Sequence, residues 1–297
     1  MKREIKGKYI KAGEIAQKAR KKAREVCKPG ESLYNIAETI EKLIRDNGAK
    51  PAFPVNVSVN EISAHFTPIE ENQVVKESDA VKIDIGVHVD GYIADTALTV
   101  NPDGSHSDLI DAVETALSKG IQKARIGTQI GDIGAEIQDS IESRGYKPIR
   151  NLGGHYMDRW TQHAGERIPN ISTGNVKKLQ NGDAIAIEPF ATEGSGKVKE
   201  TKPGNIYRYV GGKTRRREER KILKIIKSEF HSLPFTPRWI DMPEAKLRMA
   251  MDRLVQKNII HSYPILKEVN GKTVTQAEHT VLVEEDPVVT TREPDQA

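Results

Sequence analysis

The sequence predicts an α+β fold, antiparallel strands backed by helices. Three patterns point to it. A pair of helices followed by strands occurs twice along the chain, an alternating apolar run closed by Asp90-Gly91 marks a β-hairpin, and later apolar runs are short and end on a charged residue. In the first half, Tyr9 to Val26 reads as a helix. Ser32 caps a second, Ser32 to Asn47, whose Leu33, Ile36, Ala37, Ile40, Leu43 and Ile44 fall at helical spacing before Gly48 stops it. Val81, Ile83, Ile85, Val87 and Val89 then alternate with Lys82, Asp84, Gly86, His88 and Asp90, the period of a half-buried strand, and Tyr92 to Val100 supplies its partner. In the second half, Asp108 to Lys123 and Asp132 to Arg144 read as helices, the latter with Ile133, Ile137 and Ile141 on one face and Gly145 beyond its end. Short strands carrying His155, Glu188 and Glu278 follow. Between the last two, Arg215 to Phe230 and Lys246 to Lys257 each carry apolar residues at helical spacing and read as amphipathic helices.

At 297 residues, with 37% hydrophobic and 30% charged residues, the composition is that of a globular protein with room for a sizeable core. Cys27 stands alone, which excludes an internal disulfide and favours a reducing, cytoplasmic compartment. No apolar stretch approaches the roughly 20 residues of a membrane span, and the basic start does not lead into a signal-peptide core. A monomer without membrane attachment is expected. The net charge is +4, so attraction to nucleic acid would have to be local. Its one candidate is Arg208 to Lys227, with nine Lys or Arg against Glu218 and Glu219. Such runs are commonly solvated helix faces, but clustered cations also bind phosphate backbones through counterion release.

The residues that carry chemistry are Asp84, Asp95, His155, Glu188 and Glu278, since four carboxylates and one imidazole suit hard divalent cations. The hairpin allows a test on geometry. A two-residue turn places Asp84 opposite Ala97 and Asp95 opposite Gly86, so both acids project from one face as diagonal neighbours roughly 7–8 Å apart at their α-carbons. That separation suits two metals about 3.5–4 Å apart. Taken singly, each acid is compatible with an ordinary surface role; together on an apolar strand pair they need a compensating charge. His155 follows Gly153-Gly154, which lets the backbone pass close to a neighbour, and His163 lies in Gln162-His163-Ala164-Gly165. Glu188 ends the run Ala184 to Ile187, and Glu278 opens Val281-Leu282-Val283, positions where a charge usually needs a partner.

In this order, Asp84-x10-Asp95, Gly154-His155, His163-Ala164-Gly165, Glu188-Pro189-Phe190 and Glu278-His279-Thr280 resemble the methionine aminopeptidases, in the archaeal form of the type 2 enzymes. Phe53-Pro54, Ala64-His65-Phe66-Thr67-Pro68, Leu233-Pro234-Phe235 and Arg238-Trp239 extend the likeness over nearly the whole chain. The resemblance implies a pita-bread fold, a curved antiparallel sheet backed by helices, with a catalytic body over 1–205 and 267–297 and a type 2 helical insertion over 206–266. It implies two divalent metals, cobalt, manganese, iron or zinc. Asp84 would chelate one, Asp95 and Glu278 would bridge the pair, and His155 and Glu188 would complete the second. It implies hydrolysis of the first peptide bond, releasing N-terminal methionine from nascent chains with a small second residue. Glu188 would shuttle the proton, His65 and His163 would act on the substrate, and Phe53 and Phe190 would wall a methionine pocket. The basic stretch would then suit a ribosomal RNA contact. Gly153, Gln162 and Asp158-Arg159-Trp160 depart from the family pattern, which bears on pocket shape. The alternatives on the same fold are a metal-free relative acting as a ribosome- or RNA-binding protein and a proline-specific aminopeptidase.

Overall fold

The computed structural model describes residues 1–293. Helices α1 (Arg3–Val26) and α2 (Leu33–Asp46) open the chain, followed by strands β1 (Lys50–Pro51), β2 (Asn56–Val59), β3 (Ile62–Ala64), β4 (Val81–Val89) and β5 (Tyr92–Val100). The second half repeats the plan with α3 (Ser107–Lys123) and α4 (Ile130–Glu142). Strands β6 (Lys147–Pro148), β7 (Gly153–Asp158), β8 (Thr161–Pro169), β9 (Ala184–Ile187) and β10 (Phe190–Thr192) come after them. A long ribbon of β11 (Val198–Tyr209) and β12 (Ile260–Glu268) encloses helices α5 (Arg217–Ile225) and α6 (Glu244–Gln256). The chain closes with β13 (Val274–Gln276), β14 (His279–Leu282) and β15 (Val288–Val289).

Each half packs its own helix pair on its own strands. In the first, Ala12, Ala16 and Ala19 of α1 and Ile36, Ile40 and Ile44 of α2 bury against Ile83, Ile85 and Val87 of β4. In the second, Val113 and Leu117 of α3 and Ile133, Ile137 and Ile141 of α4 bury against Ile185, Ile187 and Val281. All strand pairings are antiparallel among the described residues. This is the pita-bread architecture, two similar halves facing each other. Both second helices end at a glycine in the left-handed region, Gly48 (φ 78°) and Gly145 (φ 83°), and both glycines begin a Gly-x-Lys-Pro string leading into a short strand. Glycine there avoids the strain that a Cβ brings to a helix C-terminus.

The sequence expectations need three adjustments. The first helix begins at Arg3, not Tyr9: its opening turns are mostly charged helix formers with little apolar phase to read, although Ile5 packs on the core beside Tyr9. Strand β4 is buried on both faces, not one. Lys82 is fully buried, and its ammonium donates to the carbonyl oxygens of Val274 (2.8 Å), Asn60 (2.9 Å) and Ala80 (3.3 Å). Burial pushes its pKa down to about 7. The helix expected over Arg215 to Phe230 is α-helical only to Ile225 and finishes as a π-turn, Ile226–Phe230, ending at His231 with φ 55°. The wider turn brings Phe230 onto Phe235, ring centroids 5.3 Å apart, where an α-helical turn would shift its direction.

The segment 206–266 includes the ends of the β11–β12 ribbon as well as the helices, which enclose their own core of Ile222, Phe235, Leu247, Met251 and Leu254. It is anchored to the body by Arg238 and Trp239. Arg238 donates to Glu41 (2.8 Å) and Thr67 (3.0 Å) and also pairs with Glu38, while Trp239 Nε1 donates to Glu41 at 2.6 Å.

The last described residues return to the first helix. A Cβ at Gly13 would come within 2.3 Å of the Thr290 carbonyl oxygen, and Gln17 donates to that same oxygen at 2.8 Å. Glu293 pairs with Arg24 and lies 3.4 Å from buried Arg20, which in turn donates to Thr96 Oγ1 and Ala97 O, both at 2.7 Å. Thr96 Oγ1 donates to Glu278 O at 2.7 Å, and Ala97 and Glu278 form an antiparallel bridge. The two halves are thus joined at Asp95 to Ala97 and Glu278 to Thr280.

Candidate metal centre

The β4–β5 register is the one the turn dictates: Asp84 pairs with Ala97, and Asp95 with Gly86. Asp90 (φ 52°) and Gly91 (φ 86°) make the turn. Gly86 has a steric reason to lack a side chain, since a Cβ there would come within 2.3 Å of the Phe53 ring. His155 stands on β7, between β8 and β9. A Cβ on Gly154 would approach Ala186 O to 2.0 Å and one on Gly153 would approach Ile168 O to 2.4 Å. The close approach read from the two glycines is therefore to the neighbouring strands. Glu188 follows β9 and Glu278 precedes β14, and because Ile187 pairs with His279 the two glutamates are brought side by side.

Ligand atoms of Asp95, His155 and Glu278 lie within 4.8 Å of one another, and so do those of Asp84, Glu188 and Glu278. Glu278 belongs to both groups. His155 and Glu188, which the resemblance puts on one metal, fall in different groups in this geometry. Asp95, His155 and Glu278 are buried, with His155 Nε2 3.4 Å from Asp95 Oδ2 and 4.0 Å from Glu278 Oε1. Asp84 Oδ1, Asp95 Oδ1 and Glu278 Oε2 are buried without a hydrogen-bond partner among the described residues. Burial, reinforced by the neighbouring carboxylates, holds Asp84, Glu188 and Glu278 well above the usual carboxylate range. So many orphaned acceptors at one point would be costly unless positive charge reaches them. The donor set, hard oxygens plus one imidazole, fits a pair of divalent cations.

A cavity of about 340 Å³ opens above these groups, and His65, His163, Phe53 and Phe190 all line it. His65 sits in the left-handed region (φ 63°), and its Nδ1 lies 3.2 Å from Pro264 O, which makes Nδ1 the donor and leaves Nε2 as the free nitrogen. Burial pushes its pKa down to about 4, so the ring is neutral. His163 opens onto the cavity, its ring 4.5 Å from that of His155 in an edge-on contact. Surrounding protein, with His155, His65 and Arg208 nearby, lowers its pKa well below the ordinary value. Phe53 and Phe190 are both buried walls. The structure places Gln162, one of the departures from the family pattern, in the lining and adds Tyr263. Gln162 had a signal in the sequence, as a polar residue beside His163. Tyr263 had none; it meets the His65 ring edge-on at 5.2 Å.

A profile of metallopeptidase family M24 matches residues 7–285 of the chain. The chain belongs to metallopeptidase family M24. Within M24 it groups with the methionine aminopeptidases. It is 48% identical to the methionine aminopeptidase of Pyrococcus abyssi over 96% of this chain and 99% of that one, and 46% identical to that of Methanocaldococcus jannaschii over 97% and 100%. The M24 fold is found again in solved structures of low identity. The methionine aminopeptidase of Thermotoga maritima superposes with a TM-score of 0.73 at 24% identity, covering 99% of this chain and 98% of that one. The prolidase of Pyrococcus furiosus gives 0.63 at 19%, covering 98% and 65%. A thermophilic Arx1 gives 0.87 at 17%, covering 99% and 92%. Among the described residues no helix is long and apolar enough to cross a membrane.

The raised carboxyl pKa values give this M24 site a testable property. Burial and mutual repulsion favour the protonated forms of Asp84, Glu188 and Glu278 in the metal-free protein, and a cation competes with those protons. Titration with Mn²⁺ near neutral pH should therefore release protons, and affinity should rise with pH until these carboxyls are ionised. Calorimetry in two buffers of different ionisation enthalpy reads the release directly. Heats that do not depend on the buffer would show the carboxyls already ionised.

Proposed function

We propose that the chain removes N-terminal methionine from peptides and nascent proteins whose second residue is small, as a cytoplasmic type 2 methionine aminopeptidase with the 206–266 insertion. The observation that carries this reading is the pair of three-residue ligand groups sharing Glu278 at the floor of a cavity walled by His65, His163, Phe53 and Phe190. Asp84, Asp95, His155, Glu188 and Glu278 would hold two divalent cations, from cobalt, manganese, iron or zinc. When bound, such cations lower the pKa of water and polarise a carbonyl oxygen.

The protein's own groups do the rest. Glu188 accepts a hydrogen bond from Gln276 through Oε1 at 2.7 Å, which fixes the carboxylate and leaves Oε2 to take a proton and return it to the leaving amine. His163, neutral and facing the cavity, can donate to the oxygen on which charge develops. His65, with Nδ1 committed to Pro264 O, presents Nε2 as an acceptor for a backbone N–H beyond the scissile bond. Phe53 and Phe190 supply the apolar wall that a methionine side chain needs. A metal-free, RNA-binding role would give no use to the clustered, unpartnered acceptors Asp84 Oδ1, Asp95 Oδ1 and Glu278 Oε2.

The specificity can be tested with a peptide series. Substrates with Gly, Ala or Ser after methionine should be cleaved about 10²-fold faster in kcat/KM than those with Leu or Lys, the discrimination a tight subsite achieves against an oversized side chain. Equal rates across the series would overturn the assignment.

The ribosome contact is proposed from charge alone. Arg215, Arg217, Arg220 and Lys224 are exposed, with no acidic partner within 4 Å among the described residues. Cosedimentation with ribosomes should weaken steeply with salt and be lost in a doubly substituted Arg217→Glu, Arg220→Glu protein. Undiminished binding by that variant would return the face to plain solvation.

A further inference from the structure

We propose that Gln162 is a positioning residue for Asp95, orienting its carboxylate for a divalent cation and so setting the metal affinity of the centre. Gln162 lies on β8 next to His163, is half-buried and lines the cavity. Its Nε2 donates to Asp95 Oδ2 at 3.2 Å. The two oxygens of Asp95 thereby become unequal. Oδ2 is held by Gln162 and lies 3.4 Å from His155 Nε2, whereas Oδ1 is buried with no partner among the described residues. Without the amide, the plane of the carboxylate would lose one of its fixed contacts, and the centre would have to order Asp95 each time a cation arrives.

An amide is suited to this place. It stabilises negative charge on Asp95 by donating a hydrogen bond, yet carries no positive charge to repel an incoming cation and no negative charge to compete as an extra ligand. Gln162 acts through Asp95 and not on the substrate. This inference rests on the reading of Asp95 as a metal ligand. Hydrogen bonds to metal ligands from outside the coordination sphere are worth about 10–100-fold in metal affinity.

The test titrates metal-free wild type, Gln162→Leu and Gln162→Met with Mn²⁺ by calorimetry, records the visible absorption of each protein loaded with Co²⁺, and includes Asp95→Asn as a control. Leu and Met fill about the same volume without a donor. Both should melt as the wild type does when metal-free, bind at least one cation about 10-fold more weakly, and show an altered Co²⁺ spectrum. Affinities within twofold of wild type and an unchanged spectrum would overturn the proposal. So would a raised KM at wild-type metal affinity, which would make Gln162 a substrate contact. Loss of folding in both metal-free variants would also overturn it, by making Gln162 a requirement of the fold. Undisturbed binding of two cations by Asp95→Asn would instead remove Asp95 from the centre, a failure of the underlying reading that the Gln162 variants do not mimic.

Discussion

Replacing Asp95 or Glu278 with alanine should abolish hydrolysis of a Met-Ala-Ser peptide, with a loss in kcat/KM of about 10³-fold or more, and should lower bound metal measured on the purified protein. Glu278 is the one residue common to both ligand groups, so its removal weakens each at once. Asp95 is buried beside His155, and its removal takes from that group the carboxylate nearest the imidazole. Both residues also lie where the two halves meet: Asp95 N donates to Thr280 Oγ1 at 2.7 Å, and Glu278 N to Ala97 O at 3.0 Å. These contacts use backbone or Thr280, so alanine leaves them in place and the folded structure should survive. A variant that keeps two metals and full activity would remove that residue from the centre.

His65 should be the site of selective alkylation. An epoxide bearing an apolar tail, directed into the cavity by Phe53 and Phe190, should modify His65 and end turnover completely at one equivalent. Three features make this imidazole a nucleophile: its pKa of about 4 keeps it unprotonated, the bond from Nδ1 to Pro264 O fixes the tautomer, and Nε2 is left without a partner among the described residues. The His65→Asn protein should resist the reagent, lose about 10²-fold in kcat, and retain both metals. Peptide mapping by mass spectrometry settles the position of the label. A label on another residue, or an unimpaired His65→Asn enzyme, would make His65 a structural residue.

Much of the floor of the site could be read from the chain because a strand has an unforgiving period. Once Asp90-Gly91 set a two-residue turn, every pair between Val81 and Val100 followed, and with them the common face of Asp84 and Asp95. The meeting of Glu188 and Glu278 was legible only through family resemblance, since pairing of β9 with β14 joins segments far apart in sequence and no local rule specifies it. Burial of charge was the least visible property. Lys82 alternates with apolar residues as a solvent-facing residue would, yet three carbonyl oxygens receive its ammonium inside the fold. Arg238 and Trp239 were recognised as a motif, but their attachment to Glu41 depends on a surface that α2 presents from the other half of the sequence. The Gly-x-Lys-Pro strings at Gly48 and Gly145 were in view throughout. They become meaningful only when two helix ends are seen in equivalent places.

The clasp between the first helix and the last described residues sets the order in which this protein can become an enzyme. Glu278 and the residues that seat it are made long after α1, and Arg20 completes its contacts only when Ala97 and Glu293 have arrived. On a ribosome the first half could fold behind its own hairpin while the floor of the cavity still lacked its shared carboxylate. Such distant closures are slow. On the proposed reading of Glu278, a growing chain would stay inert towards its neighbours' termini until residues 278–293 have emerged.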